Sequence, residues 1–189
     1  MTIKTDNRAR LRADTQPPIR MPALSGWHIN LAITALVCGA VAWPVTAAPP
    51  PSGRHKIANA NSGLCLSPAG GTSNRNEQTV QFTCDADLSR SWTIEPVEGN
   101  VVKIRNVKSG QCLTVAGGGS DRNTPSVQYP CDSDPSRRWL YAPNDSGLFR
   151  LVNLQSGLCL TIAGGATGRN DVAVQFPCDG DPSRFFRLR

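Results

Sequence analysis

From about residue 56 onward, apolar and polar positions alternate over runs of four or five residues, and each run breaks before reaching helical length. Val101-Val102-Lys103-Ile104-Arg105 is followed by Gln111-Cys112-Leu113-Thr114-Val115, then Ser126-Val127-Gln128-Tyr129, then Arg138-Trp139-Leu140-Tyr141. Between them stand Ser109-Gly110, Gly117-Gly118-Gly119 and Asp132-Ser133-Asp134-Pro135, the residues that make turns. Short period-two runs punctuated in this way predict four strands. No stretch carries a 3.6-residue apolar period over a useful length, so the expected class is all-β.

The same unit occurs three times. Ser62-Gly63-Leu64-Cys65-Leu66, Ser109-Gly110-Gln111-Cys112-Leu113 and Ser156-Gly157-Leu158-Cys159-Leu160 open three copies, and the step between successive first cysteines is 47 residues each time. Val80-Gln81-Phe82, Val127-Gln128-Tyr129 and Val174-Gln175-Phe176 keep the phase. A fixed period marks a repeat architecture. Four strands per copy give about twelve. One unit is too small to close a core, so three copies are expected to pool their Leu, Val, Ile and Trp side chains about a pseudo-threefold axis. Any binding hollow should then exist in up to three versions. The glycine pairs at 70–71, 117–118 and 164–165 follow a strand with no helix after them, so positive-φ turns explain them better than a phosphate cradle.

Residues 1–47 have another character. A basic stretch with Arg8, Arg10, Arg12 and Arg20 precedes the apolar run Leu31–Trp43, then Pro44 and Val45-Thr46-Ala47-Ala48. This order predicts a secretory signal peptide cleaved after Ala47. The run of 13 apolar residues is shorter than the ~20 that span a bilayer. Met1 is the expected start, because Met21 would leave almost no positive charge ahead of that run. Residues 48–53 form a short Pro-rich tail, and 54–189 the repeat domain.

Half of the net charge of +6 belongs to the leader, where Lys4 and four arginines face Asp6 and Asp14. The remainder is spread rather than clustered, which argues against nucleic acid as a partner. Of seven cysteines, Cys38 lies in the leader. The other six form Cys65/Cys84, Cys112/Cys131 and Cys159/Cys178, each 19 positions apart. Six cysteines allow fifteen connectivities, and pairing within each copy is the simplest that obeys the repeat. Loops of this size each stabilise by ~3 kcal/mol in the chain-entropy model. The spacing is wrong for a zinc site, and an oxidising compartment agrees with the leader. His55 is the one histidine of the repeat region, and no cofactor or metal is expected.

The unit S-G-x-C-L, V-Q-aromatic-x-C-D, R-x-W resembles the ricin B-chain type lectin domain, a β-trefoil of three repeats also found as a carbohydrate-binding module. The resemblance covers about residues 54–189. It implies shallow sugar hollows, one per repeat, for galactose-like or xylan-type glycans. It also implies an Asp two positions after the first cysteine, an aromatic ring two positions before the second, and a closing Gln-x-Trp with an Asn ahead of it.

The rings are present as Phe82, Tyr129 and Phe176, and a flat ring suits the C–H face of a pyranose. The Asp is replaced by Ser67, Thr114 and Thr161, which offer fewer acceptor sites and no charge. Gln-x-Trp becomes Arg90-Ser91-Trp92, Arg137-Arg138-Trp139 and Arg184-Phe185-Phe186, and the Asn position holds Ser89, Ser136 and Ser183. Trp92, Trp139 and Phe186 are expected in the core. Two readings of the polar residues stand. Asp87, Asp134 and Asp181, with Asp85, Asp132 and Asp179 as further candidates, supply the missing carboxylate to sugar. Alternatively each pairs locally with the arginine three residues on and holds the turn, the reading favoured for Asp134 and Arg137. Two carboxylates in Asp-x-Asp fall short of a calcium site. Pro68, where the other copies have Val115 and Ile162, must end its strand at an edge or bulge and makes the first hollow the most suspect.

The expected function is therefore a secreted, non-enzymatic, monomeric carbohydrate-binding protein with no membrane insertion once the leader is removed. A protein-binding or inhibitory trefoil is the alternative, and the constant 47-residue step argues against the long asymmetric loop it needs.

Overall fold

The computed structural model describes residues 49–189, and the signal-peptide expectation falls on residues outside that range. The described chain is all-β. Its strands are β1 (Gly53–His55), β2 (Ile57–Asn59), β3 (Cys65–Pro68), β4 (Thr79–Phe82), β5 (Trp92–Glu98), β6 (Val101–Asn106) and β7 (Cys112–Val115). Then come β8 (Ser126–Tyr129), β9 (Trp139–Pro143), β10 (Phe149–Asn153), β11 (Cys159–Ile162), β12 (Ala173–Phe176) and β13 (Phe186–Leu188). Single 3-10 turns at Ala69–Gly71, Ala116–Gly118 and Ala163–Gly165, and at Leu88–Arg90, Pro135–Arg137 and Pro182–Arg184, complete each copy.

The thirteenth strand is a break and not an addition. β1 and β2 together occupy the place of β6 and of β10, interrupted at Lys56. There the first strand of the trefoil meets the last residue: Lys56 N–H donates to Arg189 O at 2.8 Å, and Arg189 N–H to Lys56 O at 2.9 Å. All strand pairs are antiparallel. β5 and β6, β9 and β10, and β13 and β2 pair in matching positions, and β1, β6 and β10 also meet β5, β9 and β13 at His55 against Trp92, Val102 against Trp139, and Phe149 against Phe186. The hairpins β3–β4, β7–β8 and β11–β12 share one register, with Cys65 opposite Phe82, Cys112 opposite Tyr129 and Cys159 opposite Phe176. This is a β-trefoil.

The alternation in the sequence becomes a central core. Trp92, Trp139, Phe149 and Phe186 are buried with Leu66, Leu113, Leu160, Ile94, Ile104 and Leu151. The indoles of Trp92 and Trp139 donate to Leu66 O at 2.9 Å and Leu113 O at 3.0 Å, so neither is buried with an idle N–H. Disulfides Cys65–Cys84, Cys112–Cys131 and Cys159–Cys178 close within each copy, with Cα atoms 5.1 Å apart in every case. Pro68 is the last residue of its strand, opposite Thr79, and the donor across the hairpin beyond it is Ala69 N–H, to Gln78 O at 2.8 Å.

Buried glutamines join the copies. Gln128, fully buried, donates from Nε2 to Thr72 O and Asn74 O of the first copy and accepts from Ser109 Oγ at 2.7 Å. Gln81 reaches Ala166 O and Gly168 O of the third copy, and Gln175 reaches Gly119 O and Asp121 O of the second. The three contacts form a closed ring that holds each glycine-rich loop against the next hairpin.

Candidate functional site

One hollow opens in each copy, between the end of the first hairpin and the closing 3-10 turn. The hollow of the second copy measures about 360 Å³, that of the third about 290 Å³ and that of the first about 180 Å³. Thr114, Val127, Tyr129, Asp134 and Arg137 line the second; Thr161, Val174, Phe176, Asp181 and Arg184 line the third. Ser67, Pro68, Val80, Phe82 and Arg90 line the first, and Asp87 does not. Both glycines of each pair have positive φ, from 59° to 67°. A Cβ built at Gly71 would stand 3.0 Å from Ser89 Oγ, so a larger residue there would push the serine or the loop aside, besides being strained at φ 64°.

The hydroxyls in the Asp position are buried and spent locally. Ser67 Oγ lies 3.3 Å from Ser89 Oγ, Thr114 Oγ1 3.0 Å from Ser136 Oγ, and Thr161 Oγ1 2.9 Å from Ser183 Oγ. The carboxylates behind them are occupied too. Asp134 Oδ1 accepts from Ser136 N at 2.8 Å and Ser136 Oγ at 2.6 Å, and Asp181 Oδ1 does the same with Ser183. Asp87 Oδ1 accepts from Ser89 N at 2.8 Å. Each Asp caps its 3-10 turn. Hydrogen bonds from these serines, chiefly the Ser89 backbone for Asp87 and the serine hydroxyl for the other two, hold all three carboxyls below the ordinary aspartate range, with the neighbouring arginine adding to the effect.

Each turn arginine is nearly buried and gripped by two carboxylates. Arg90 meets Asp85 at 3.3 Å and Asp87 at 3.1 Å; Arg137 meets Asp132 and Asp134, both at 3.2 Å; Arg184 meets Asp179 at 3.1 Å and Asp181 at 3.2 Å. The guanidinium lies against the ring of its own copy, 4.7 Å from the centroid of Phe82, 4.8 Å from Tyr129 and 5.0 Å from Phe176. The turn arginines thus wall all three hollows and lie against their rings, with Asp134 and Asp181 beside them in the second and third.

Two contributors come from the neighbouring copy and were not foreseen. Arg75 of the first copy lies 4.7 Å from the Tyr129 centroid and donates to Tyr129 Oη at 2.6 Å. Arg169 stands 5.8 Å from Phe82 and Arg122 6.0 Å from Phe176. The residue after each of these arginines reaches a hollow as well: Asn76 lines the second, Asn123 the third and Asn170 the first. The signal was available, since Arg-Asn recurs at 75–76, 122–123 and 169–170 in phase with the cysteines. Nothing in one copy's sequence says that its loop serves the next copy's hollow.

Comparison with known proteins agrees with this fold. The family described as ricin-type beta-trefoil lectin domain-like matches residues 41–129 and 88–177. The chain belongs to that family. No curated protein sequence matches it. Among solved structures, the designed threefold-symmetric protein ThreeFoil superposes with a TM-score of 0.71 at 19% identity, over 72% of this chain and 97% of that one. An exo-beta-1,3-galactanase from Clostridium thermocellum gives 0.70 at 26% identity, over 75% of this chain and 31% of the other, so this chain spans about a third of that enzyme. The Macrolepiota procera ricin B-like lectin, solved with lactose, gives 0.63 at 17% identity over 74% of this chain and 96% of the lectin.

Proposed function

We propose that this protein is a secreted, non-enzymatic lectin whose trefoil presents up to three shallow hollows to galactose-like or xylan-type glycans. The observation that carries the reading is the recurrence, in all three copies, of an aromatic ring held beside a hollow of saccharide size. Family membership and the lactose-bound Macrolepiota procera lectin support it. The three disulfides agree with an oxidising compartment, and among the described residues no helix is long and apolar enough to cross a membrane.

A carbohydrate site needs an apolar plate and directional hydrogen bonds around it. Tyr129, Phe82 and Phe176 supply the plates. The turn arginine, already neutralised by its carboxylates, offers N–H donors at the rim without a naked charge. Single hollows of this openness bind weakly, and several on one rigid body gain by avidity on a polymer. Carboxylates that are turn caps, depressed in pKa and paired with arginine, are poor general acids, in line with a role without catalysis.

The test is a glycan array and polysaccharide pull-down with the oxidised mature chain, repeated with Tyr129→Ala. Retention on galactose or xylan matrices, displaced by free sugar and reduced in the variant at unchanged thermal stability, is the expected result. Silence across the array and the pull-downs overturns the reading.

A further inference from the structure

Three residues other than glycine have positive φ among the described residues: Asn76 at 62°, Asn123 at 64° and Asn170 at 67°. At the other twelve positive-φ positions this chain uses glycine, the residue without a steric penalty there. Asparagine enters this region more readily than other side chains do, and unlike glycine it brings a carboxamide to the position. Each lines a hollow, and each hollow belongs to the neighbouring copy. The backbone pins them there: Asn76 N–H donates to Gln128 O at 2.9 Å, Asn123 N–H to Gln175 O at 2.8 Å and Asn170 N–H to Gln81 O at 2.9 Å. Those acceptors sit one residue before Tyr129, Phe176 and Phe82. The side chains are exposed, and among the described residues their carboxamides make no hydrogen bond, whereas the hydroxyls and carboxylates of the same hollows are committed to the closing turns.

We propose that Asn76, Asn123 and Asn170 are the sugar-recognition residues of this trefoil, so that every hollow is a composite of two copies. This rests on the carbohydrate-binding reading and names its polar contact. A carboxamide presents one acceptor oxygen and two N–H donors. Two adjacent pyranose hydroxyls present the complementary pair, one donating and one accepting. The asparagine thus takes over the part that the missing carboxylate plays elsewhere, from the opposite wall and without charge. The ligand class is a neutral pyranose with a free vicinal diol, laid with its C–H face toward the ring. The ring closes around the trefoil: the first copy serves the second, the second serves the third, and the third serves the first.

The test separates the amide from the backbone. Asn76→Gly keeps the positive φ and removes the carboxamide, and Asn76→Asp keeps the backbone and the acceptor while removing the donors. Lactose and xylotriose are titrated into the oxidised protein, with ¹⁵N spectra reporting the backbone of each hollow and the three asparagine side-chain amides. In the wild type the Asn76, Asn123 or Asn170 amide resonances of occupied hollows move with the same binding curve as their backbone neighbours. In Asn76→Gly the second hollow loses about tenfold in affinity, the worth of one or two hydrogen bonds, while the other hollows and the thermal midpoint are unchanged. Wild-type binding with unaltered affinity in both variants overturns the assignment and leaves the lectin reading standing. A wild-type protein that binds neither probe, and is silent on the glycan array, overturns both.

Discussion

The side-chain amide of Gln128, in the second copy, donates to the carbonyl of Asn74, in the first, at 2.8 Å. It also donates to Thr72 O at 3.0 Å, and its oxygen accepts from Ser109. A polar side chain in the sequence of a strand is in this way the clamp between two copies. Replacing it by alanine leaves two part-buried loop carbonyls and one part-buried hydroxyl without that partner. Gln128→Ala is expected to cost about 2–4 kcal/mol, against about 0–0.5 kcal/mol for an exposed control such as Ser133→Ala. Urea denaturation midpoints measure the difference, and a Gln128→Ala midpoint equal to the wild type would refute the clamp.

The aromatic pair of the third copy predicts a compensation. Phe186 replaces the tryptophan of the other two copies, and Phe149, opposite it in register, replaces Val102 of the second. The two rings sit 6.3 Å apart, centroid to centroid. Volume lost at one position is returned at the other. Phe186→Trp alone is expected to overpack and cost about 1–3 kcal/mol, and Phe149→Val alone to leave a cavity at a similar cost. The double variant restores the second copy's solution and recovers most of the loss. Additive penalties in a double-mutant cycle would show that the rings do not share one space.

Acid should act on the closing turns. The carboxyls of Asp87, Asp134 and Asp181 are held below the ordinary aspartate pKa in the folded state. A depressed folded pKa means that the folded state holds the proton less tightly than the unfolded chain. The stability it brings is present in full above the unfolded value, about 4, and drains as pH falls through the folded values. Thermal midpoints should be level in this respect from pH 8 to 5 and drop below pH 4. Asp134→Asn should lower the plateau and shallow the drop, and an unchanged acid profile in that variant would remove the caps from the account.

Reduction should lower the stability of the whole trefoil one bridge at a time. Each disulfide spans 19 residues and is worth ~3 kcal/mol in the chain-entropy model. Cys112→Ser with Cys131→Ser is expected to shift the denaturation midpoint by that amount and leave a folded protein. Full reduction removes about three times as much, comparable to the whole stability of a domain of this size. Circular dichroism during dithiothreitol titration follows it.

Much of this was legible in the chain. The 47-residue step and the alternating runs gave strand number, threefold order and class, because strand side chains alternate and a repeat must bury the same face three times. The strands expected in the second copy lie within a residue or two of β6, β7, β8 and β9. The count differs at Lys56, which bonds to Arg189, a contact between residues 133 positions apart that no local pattern announces. Rings and turn carboxylates were picked out by their spacing. Asn76, Asn123 and Asn170 look like ordinary turn residues within their own copy, and only the neighbouring copy's hollow sets them apart.

The sequence by itself determined the repeat, the alternation of buried and exposed faces and the turn chemistry, since all of these depend on residues close together in the chain. The tertiary structure alone decided which copy's loop meets which copy's ring, and whether a hydroxyl or carboxylate is free or already bonded. Those are questions of distance across the pseudo-threefold axis, and identical copies give no local clue to their neighbours. Ser67, Thr114 and Thr161 could be named from their positions, but only packing against Ser89, Ser136 and Ser183 showed their hydrogen bonds already made.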